Sequence, residues 1–168
     1  MKHELEIFFD YVCPFCYRAH QALKELIPDF PDINIIWQLC EAHPRPDRYG
    51  PHSDLCIQGY FYTKDHGVDP LRYHDRMFQA TMVDRIDIED LELLTNYVQD
   101  LVDVKEFRLA LQGGVYKEAL NKANDLAYVQ NRVWAVPAYR CAGQKLDAVE
   151  NVGVTRQQLQ QFLNSIQR

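Results

Sequence analysis

No stretch of this 168-residue chain approaches the roughly 18 apolar residues that a membrane-crossing helix needs. No run of lysine or arginine stands out either. With 18 basic residues against 24 acidic ones the formal charge is -6, so a phosphate backbone has nothing to hold. Neither a membrane nor a nucleic acid is therefore expected among the partners. Cysteine is scarce and odd in number, and five residues make a poor disulfide framework for a secreted protein. They fit a reducing compartment, where a Cys-x-x-Cys pair serves catalysis or metal binding. The opening residues Met-Lys-His-Glu-Leu-Glu lead straight into an apolar segment, with no secretory stretch or small-residue cleavage site. A cytoplasmic location is expected. Repeats and low-complexity tracts are also lacking. What remains is a chain of one-domain length, with 47% hydrophobic residues for a substantial core. One domain over 1–168 is the expectation.

The rest of the chain is organised around residues 7–17, Ile-Phe-Phe-Asp-Tyr-Val-Cys-Pro-Phe-Cys-Tyr. There an apolar run ends in Cys13-Pro14-Phe15-Cys16 and helical periodicity starts at once. Residues three apart share one helix face, so the two sulfurs come within disulfide reach and can join and part without unfolding. The free N–H groups and the positive dipole end at a helix start favour an anion, which lowers the pKa of the first cysteine and makes Cys13 the nucleophile. Pro14 fits the first helical position, where its missing N–H would have had no partner.

Residues 4–12 read as a nearly continuous apolar strand, covered on both faces and hence central. Ala19, Ala22, Leu23, Leu26 and Ile27 recur at helical spacing up to Pro28. Ile33–Leu39 is a second strand, which completes a right-handed parallel βαβ unit. After a Pro-rich loop the periodicity is helical over about 53–130. Asp69-Pro70, Asp87 before Leu91, Leu94, Val98 and Leu101, and Asp103 with Glu106 read as helix starts. Gly113-Gly114 reads as a stop, and a further helix follows over 115–129. A strand pattern returns over Val133–Cys141, turns at Ala142-Gly143 and resumes over Lys145–Val149; Thr155 with Gln158 boxes the start of a last helix. The order is βαβ, helical block, ββα: an α/β thioredoxin fold with a helical insertion.

The segment from Phe9 to Tyr17, Trp37-Gln38-Leu39 ending in a Pro-rich loop, the helical insertion and Val136-Pro137 before the third strand together span nearly the whole chain. In these features the chain resembles the DsbA-like thioredoxin-fold oxidoreductases. It resembles specifically their cytoplasmic FrnE-like branch, which borders the hydroxychromene-carboxylate isomerases and the kappa-class glutathione transferases. The resemblance implies that Val136-Pro137 is a cis peptide lying against the first cysteine, with Val136 offering backbone N–H and C=O groups to a substrate strand. It implies a thiol-disulfide oxidoreductase in which Cys13 forms a mixed disulfide and Cys16 resolves it. Pro14, Phe15, Val136, Pro137 and Asp10 would support the site.

Other readings stand beside this one. Cys40 and His43 form a Cys-x-x-His pair that could join Cys13 and Cys16 in a zinc site. A glutathione-dependent transferase or isomerase uses the same fold. Cys40, Cys56 and Cys141 read as small apolar fillers, and His20, one turn after Cys16, as an exposed or packed residue rather than a base. Asp10 either relays a proton or caps the loop before the helix. Phe15, between the cysteines, is expected at the rim of an apolar groove. Aromatic residues over 60–78 pack between helices and sheet or line a groove for a small aromatic molecule. No metal and no cofactor is required, because the dithiol holds the electrons, with glutathione as a candidate co-substrate. The expected partner is a thiol- or disulfide-containing protein or small molecule.

Overall fold

A computed structural model describes residues 2–167. Its four strands are β1 (His3–Phe9), β2 (Ile33–Leu39), β3 (Ala138–Cys141) and β4 (Gln144–Asp147), in the spatial order β2-β1-β3-β4. β2 runs parallel to β1; β3 is antiparallel to both β1 and β4. The register sets Ile7 between Trp37 on one side and Tyr139 on the other. Leu5, Ile7 and Phe9 point into the main core with Leu23, Leu26, Tyr139, Leu159 and Leu163. Phe8 points the other way, into a small cluster with Cys40, Ala127, Val133 and Ala138. Double-sided burial thus holds for the second half of β1, the half that leads to the cysteines.

Helix α1 (Pro14–Leu26) follows β1 and packs beside the last helix, α7 (Arg156–Ile166). Between β2 and β3 lie α2 (Asp54–Asp65), α3 (Pro70–Phe78), α4 (Leu91–Tyr97), α5 (Val104–Gln112) and α6 (Lys117–Asp125). Wide turns over Gln79–Val83 and Leu126–Gln130 extend α3 and α6. Asp69 caps α3 and Asp103 caps α5 through their carboxylates. Thr155 and Gln158 exchange both hydrogen bonds of a capping box at α7.

Four boundaries differ from the sequence expectation. β1 ends at Phe9 rather than residue 12, because the Asp10 carboxylate accepts the Val12 N–H and the chain turns. β3 begins at Ala138 rather than Val133, since Pro137 has no N–H to give the ladder. β4 ends at Asp147, after which Val149 pairs with Gly153 across a tight loop. The cap of α4 is Asp90, which accepts the N–H groups of Glu92 and Leu93; Asp87 closes the preceding turn onto Glu89, and Leu101 lies beyond the helix.

Candidate active site

Cys13 is the N-cap of α1. Its backbone is extended (φ -95°, ψ 114°), and its sulfur accepts the N–H of Cys16 at 3.3 Å. Pro14 occupies the first turn, as its fixed φ favours. A sulfur in the place usually taken by a serine or aspartate oxygen is thereby surrounded by the orphan donors of the helix. The S–H of Cys13 also lies 3.6 Å from the carbonyl of Val136, so the β3 approach closes over the thiol. The Val136–Pro137 peptide is cis.

Both thiols are buried, Cys13 at 9% exposure and Cys16 at 2%, yet their acidities diverge. A hydrogen bond from Cys16, joined by the N–H groups of Cys16 and Phe15, holds Cys13 below the ordinary thiol range against the opposing effects of burial and the Asp10 charge. Burial, reinforced by the neighbouring Cys13, pushes Cys16 well above that range. Asp10 is completely buried. Its carboxylate accepts the Ala42 N–H at 2.7 Å and the Val12 N–H at 3.4 Å, tying the end of β1 to the end of β2. Burial raises its pKa in spite of these donors.

Phe15 is half-buried at the mouth. The Arg18 guanidinium lies 5.1 Å from its ring and donates to the Val152 carbonyl at 3.2 Å. Gly153, at φ +81°, lies so close that a Cβ there would sit 2.9 Å from Phe15. Beside the thiol runs a groove of about 320 Å³ lined by Phe15, Ala42, Tyr128, Trp134, Val136 and Val149. Trp134 is 85% exposed at its edge. A larger concavity of about 1040 Å³ lies at the start of β1, the end away from Cys13. It is an open, charge-lined stretch of sheet among Glu4, Glu6, Arg140 and Lys145, and nothing links it to the thiols.

The structure brings Asp10, Cys13, Phe15, Cys16 and Val136-Pro137 together but not the set proposed for zinc. His43 pairs with Asp47 at 3.0 Å, and Cys40 is buried with its thiol toward the Phe9 carbonyl. Among the described residues no three His, Cys, Asp or Glu side chains gather as a metal site would require. Cys56 and Cys141 are also buried. His20 is packed, at 4% exposure, and its Nε2 meets Asp75 at 2.9 Å. Sequence reasoning passed over Tyr128, Trp134, Gly153 and Asp75. Tyr128 comes from the end of the helical block and Trp134 from the segment that joins it to β3, and only a lone glycine beyond β4 marked the third.

A parallel βαβ unit with two cysteines at the start of its helix, followed by a proline before an antiparallel hairpin, has the arrangement of a thioredoxin fold. A family model, the DSBA-like thioredoxin domain, matches residues 4–52, the stretch holding β1, α1 and β2. The uncharacterized protein YwbO of Bacillus subtilis (strain 168) is 24% identical over 175 residues, which cover 83% of this chain and 86% of that protein. The fold is shared with Pseudomonas aeruginosa DsbA at a TM-score of 0.70 and 20% identity, over 97% of this chain and 81% of that one. It is shared as well with a 2-hydroxychromene-2-carboxylate isomerase at a TM-score of 0.74 and 15% identity, over 98% and 95%. The thioredoxin fold and the DsbA-like resemblance read from the sequence hold, and enzymes of the oxidoreductase and isomerase type share this architecture.

Proposed function

We propose that the protein is a thiol-disulfide oxidoreductase whose redox centre is Cys13-Pro14-Phe15-Cys16. The observation that carries this reading is the placement of the Cys13 sulfur as the helix N-cap, 3.3 Å from the Cys16 N–H, with its pKa held below that of an ordinary thiol. The Cys13 thiolate attacks a substrate disulfide and forms a mixed disulfide. Cys16 then attacks Cys13 and releases the substrate thiol. The reverse sequence oxidises a dithiol substrate, and the potential of the partner couple sets the direction.

Val136 and Pro137 flank the sulfur that bonds to substrate, and the apolar groove with Trp134 at its edge suits a protein or small molecule carrying a thiol or disulfide near apolar groups. Glutathione is a fitting co-substrate in the reducing cytoplasm that the cysteine content favours. The test is covalent trapping. Cys16→Ser should accumulate mixed disulfides with disulfide-containing partners and Cys13→Ser none, because only the former makes the intermediate and cannot resolve it. Equal trapping by both, or by neither, would overturn the reading.

A further inference from the structure

The oxidoreductase reading leaves a problem inside the helix. Cys16 must lose a proton to resolve the mixed disulfide, yet it is buried and its thiol is held well above the ordinary range, chiefly by burial. Cys13 cannot take that proton, because its sulfur is then bonded to substrate.

Beneath the pair lies a small space of about 10 Å³ between α1 and the sheet. Cys16, His20, Trp37, Pro137 and Tyr139 are among its lining residues. That is close to the room one water needs. Cys16 and His20 stand four residues apart, on one face of α1. On its far side the His20 Nε2 meets Asp75 Oδ1 at 2.9 Å, and the Lys24 ammonium grips both Asp75 oxygens at 2.8 Å. Burial opposes ionisation of Asp75, but the hydrogen bonds from Lys24 and His20 outweigh it, so Asp75 is an acceptor only. Nε2 must then carry the hydrogen. In the neutral imidazole this leaves Nδ1 as a bare acceptor, and Nδ1 has no hydrogen-bond partner among the described residues. The remaining neighbours of the ring are Trp37 of β2 and Phe78 and His74 of α3, with ring centres at 6.0, 5.1 and 6.1 Å. His74 is fully buried, and burial holds it neutral.

We propose that His20 is the proton acceptor of the resolving thiol, with Asp75 holding the imidazole in the tautomer that can accept. The proposal rests on the oxidoreductase reading above. The Cys16 proton passes to His20 Nδ1 through one water held in that space, and the imidazolium is stabilised by the Asp75 carboxylate. The Cys16 thiolate then attacks the Cys13 sulfur; the Cys13–Cys16 bond forms and the Cys13–substrate bond breaks. The electron pair leaves on the substrate thiolate, so the substrate is reduced and the dithiol oxidised. The substrate thiolate draws its proton from solvent, and His20 returns its own to solvent past Asp75, which is 44% exposed. In the oxidising direction His20 protonates the departing Cys16. Asp10 is the other buried acid near the pair, but both its oxygens already receive backbone N–H groups.

The two steps can be timed separately with an aryl disulfide that releases a coloured thiolate at each attack. Attack by Cys13 gives the first release and attack by Cys16 the second, which Cys16→Ser should lack. In His20→Gln the first phase should be unchanged. The second should slow roughly a hundredfold near neutral pH, the scale of a lost general base. In wild type the second phase should level off once His20 is neutral, whereas in His20→Gln it should keep rising about tenfold per pH unit as hydroxide takes over. Asp75→Asn, at a partly exposed position, should slow the second phase severalfold and leave the first alone. A second phase in His20→Gln with wild-type rate and slope, or slowed equally at every pH, would overturn the proposal, as would Asp10→Asn producing the slope change instead. Should His20→Gln fail to fold by circular dichroism, an unchanged second phase in Asp75→Asn would overturn it alone. A wild type that never gives a second release would remove the oxidoreductase reading itself.

Discussion

The mouth of α1 and the end of β2 each bury a cysteine under the influence of Asp10, and the two thiols behave in opposite ways. Cys40 is fully buried, with its thiol 4.0 Å from the Phe9 carbonyl. Burial and then the Asp10 charge raise its pKa far above the ordinary thiol. Cys13 is subject to the same two effects at 9% exposure, yet it is pulled below that value, because the Cys16 side chain and then the N–H groups of Cys16 and Phe15 donate to its sulfur. Exposure is thus not what separates a thiol held below the ordinary range from one held above it here. The sign is decided by whether the hydrogen-bond donors that reach the sulfur outweigh burial, as they do at Cys13 and not at Cys40. Cys16, one turn deeper, behaves as Cys40 does, raised by burial and by the neighbouring Cys13, and under the proposed mechanism it needs a partner to take its proton.

Several changes should sharpen or break this contrast. The largest effect is expected from Cys13→Ser, which should abolish trapping of mixed disulfides and rapid alkylation. Cys40→Ala should leave both intact and cost about 1 kcal/mol in a denaturant melt, as for a small truncation in a packed core. Gly153→Ala should be intermediate: a side chain at positive φ costs about 1 kcal/mol, and the new Cβ would press on Phe15. Turnover of a peptide disulfide should then show KM raised more than kcat is lowered, since the groove shifts while the thiols stay. For pH, the depressed Cys13 of the reduced protein contributes stability that is present above the unfolded thiol pKa and lost as pH falls through its folded value. The raised Cys40 and Cys16 act the other way, costing stability as pH climbs past the unfolded value. Melting of Cys13→Ser and Cys40→Ala against pH should therefore change slope in opposite directions. Thr155→Ala should have the smallest effect on the thiols: it removes the α7 capping box and about 1 kcal/mol of stability without moving the alkylation rate of Cys13.

Much of the contrast was legible in the chain. The branched run Ile33–Leu39 marks β2 to the residue, and Cys-Pro-Phe-Cys after an apolar run marks both the helix start and the thiol that heads it. Boundaries failed where a local hydrogen bond overruled the apolar pattern. Tyr11 and Val12 extend the hydrophobic run, but Asp10 turns the chain; Val133 to Val136 looks like strand, but Pro137 delays the pairing. Asp87 and Asp90 stand three residues apart, and both accept local N–H groups, so pattern alone could not pick the cap. What no local signal carried is the pairing of His20 with Asp75 across 55 positions, and the return of Tyr128 and Trp134 to the groove. Both depend on how the helical block packs back onto α1 and the sheet, which is a property of the whole fold.

The most direct measurement is alkylation of the native, reduced protein across pH, with each cysteine followed separately by peptide mass. Cys13 should be labelled first, with a midpoint below the ordinary thiol value of about 8.5, and Cys40 should remain unlabelled until the protein is denatured. Labelling of Cys40 or Cys16 ahead of Cys13, or a Cys13 midpoint at or above the ordinary value, would contradict the claim that the donors of the α1 mouth make this thiol the nucleophile.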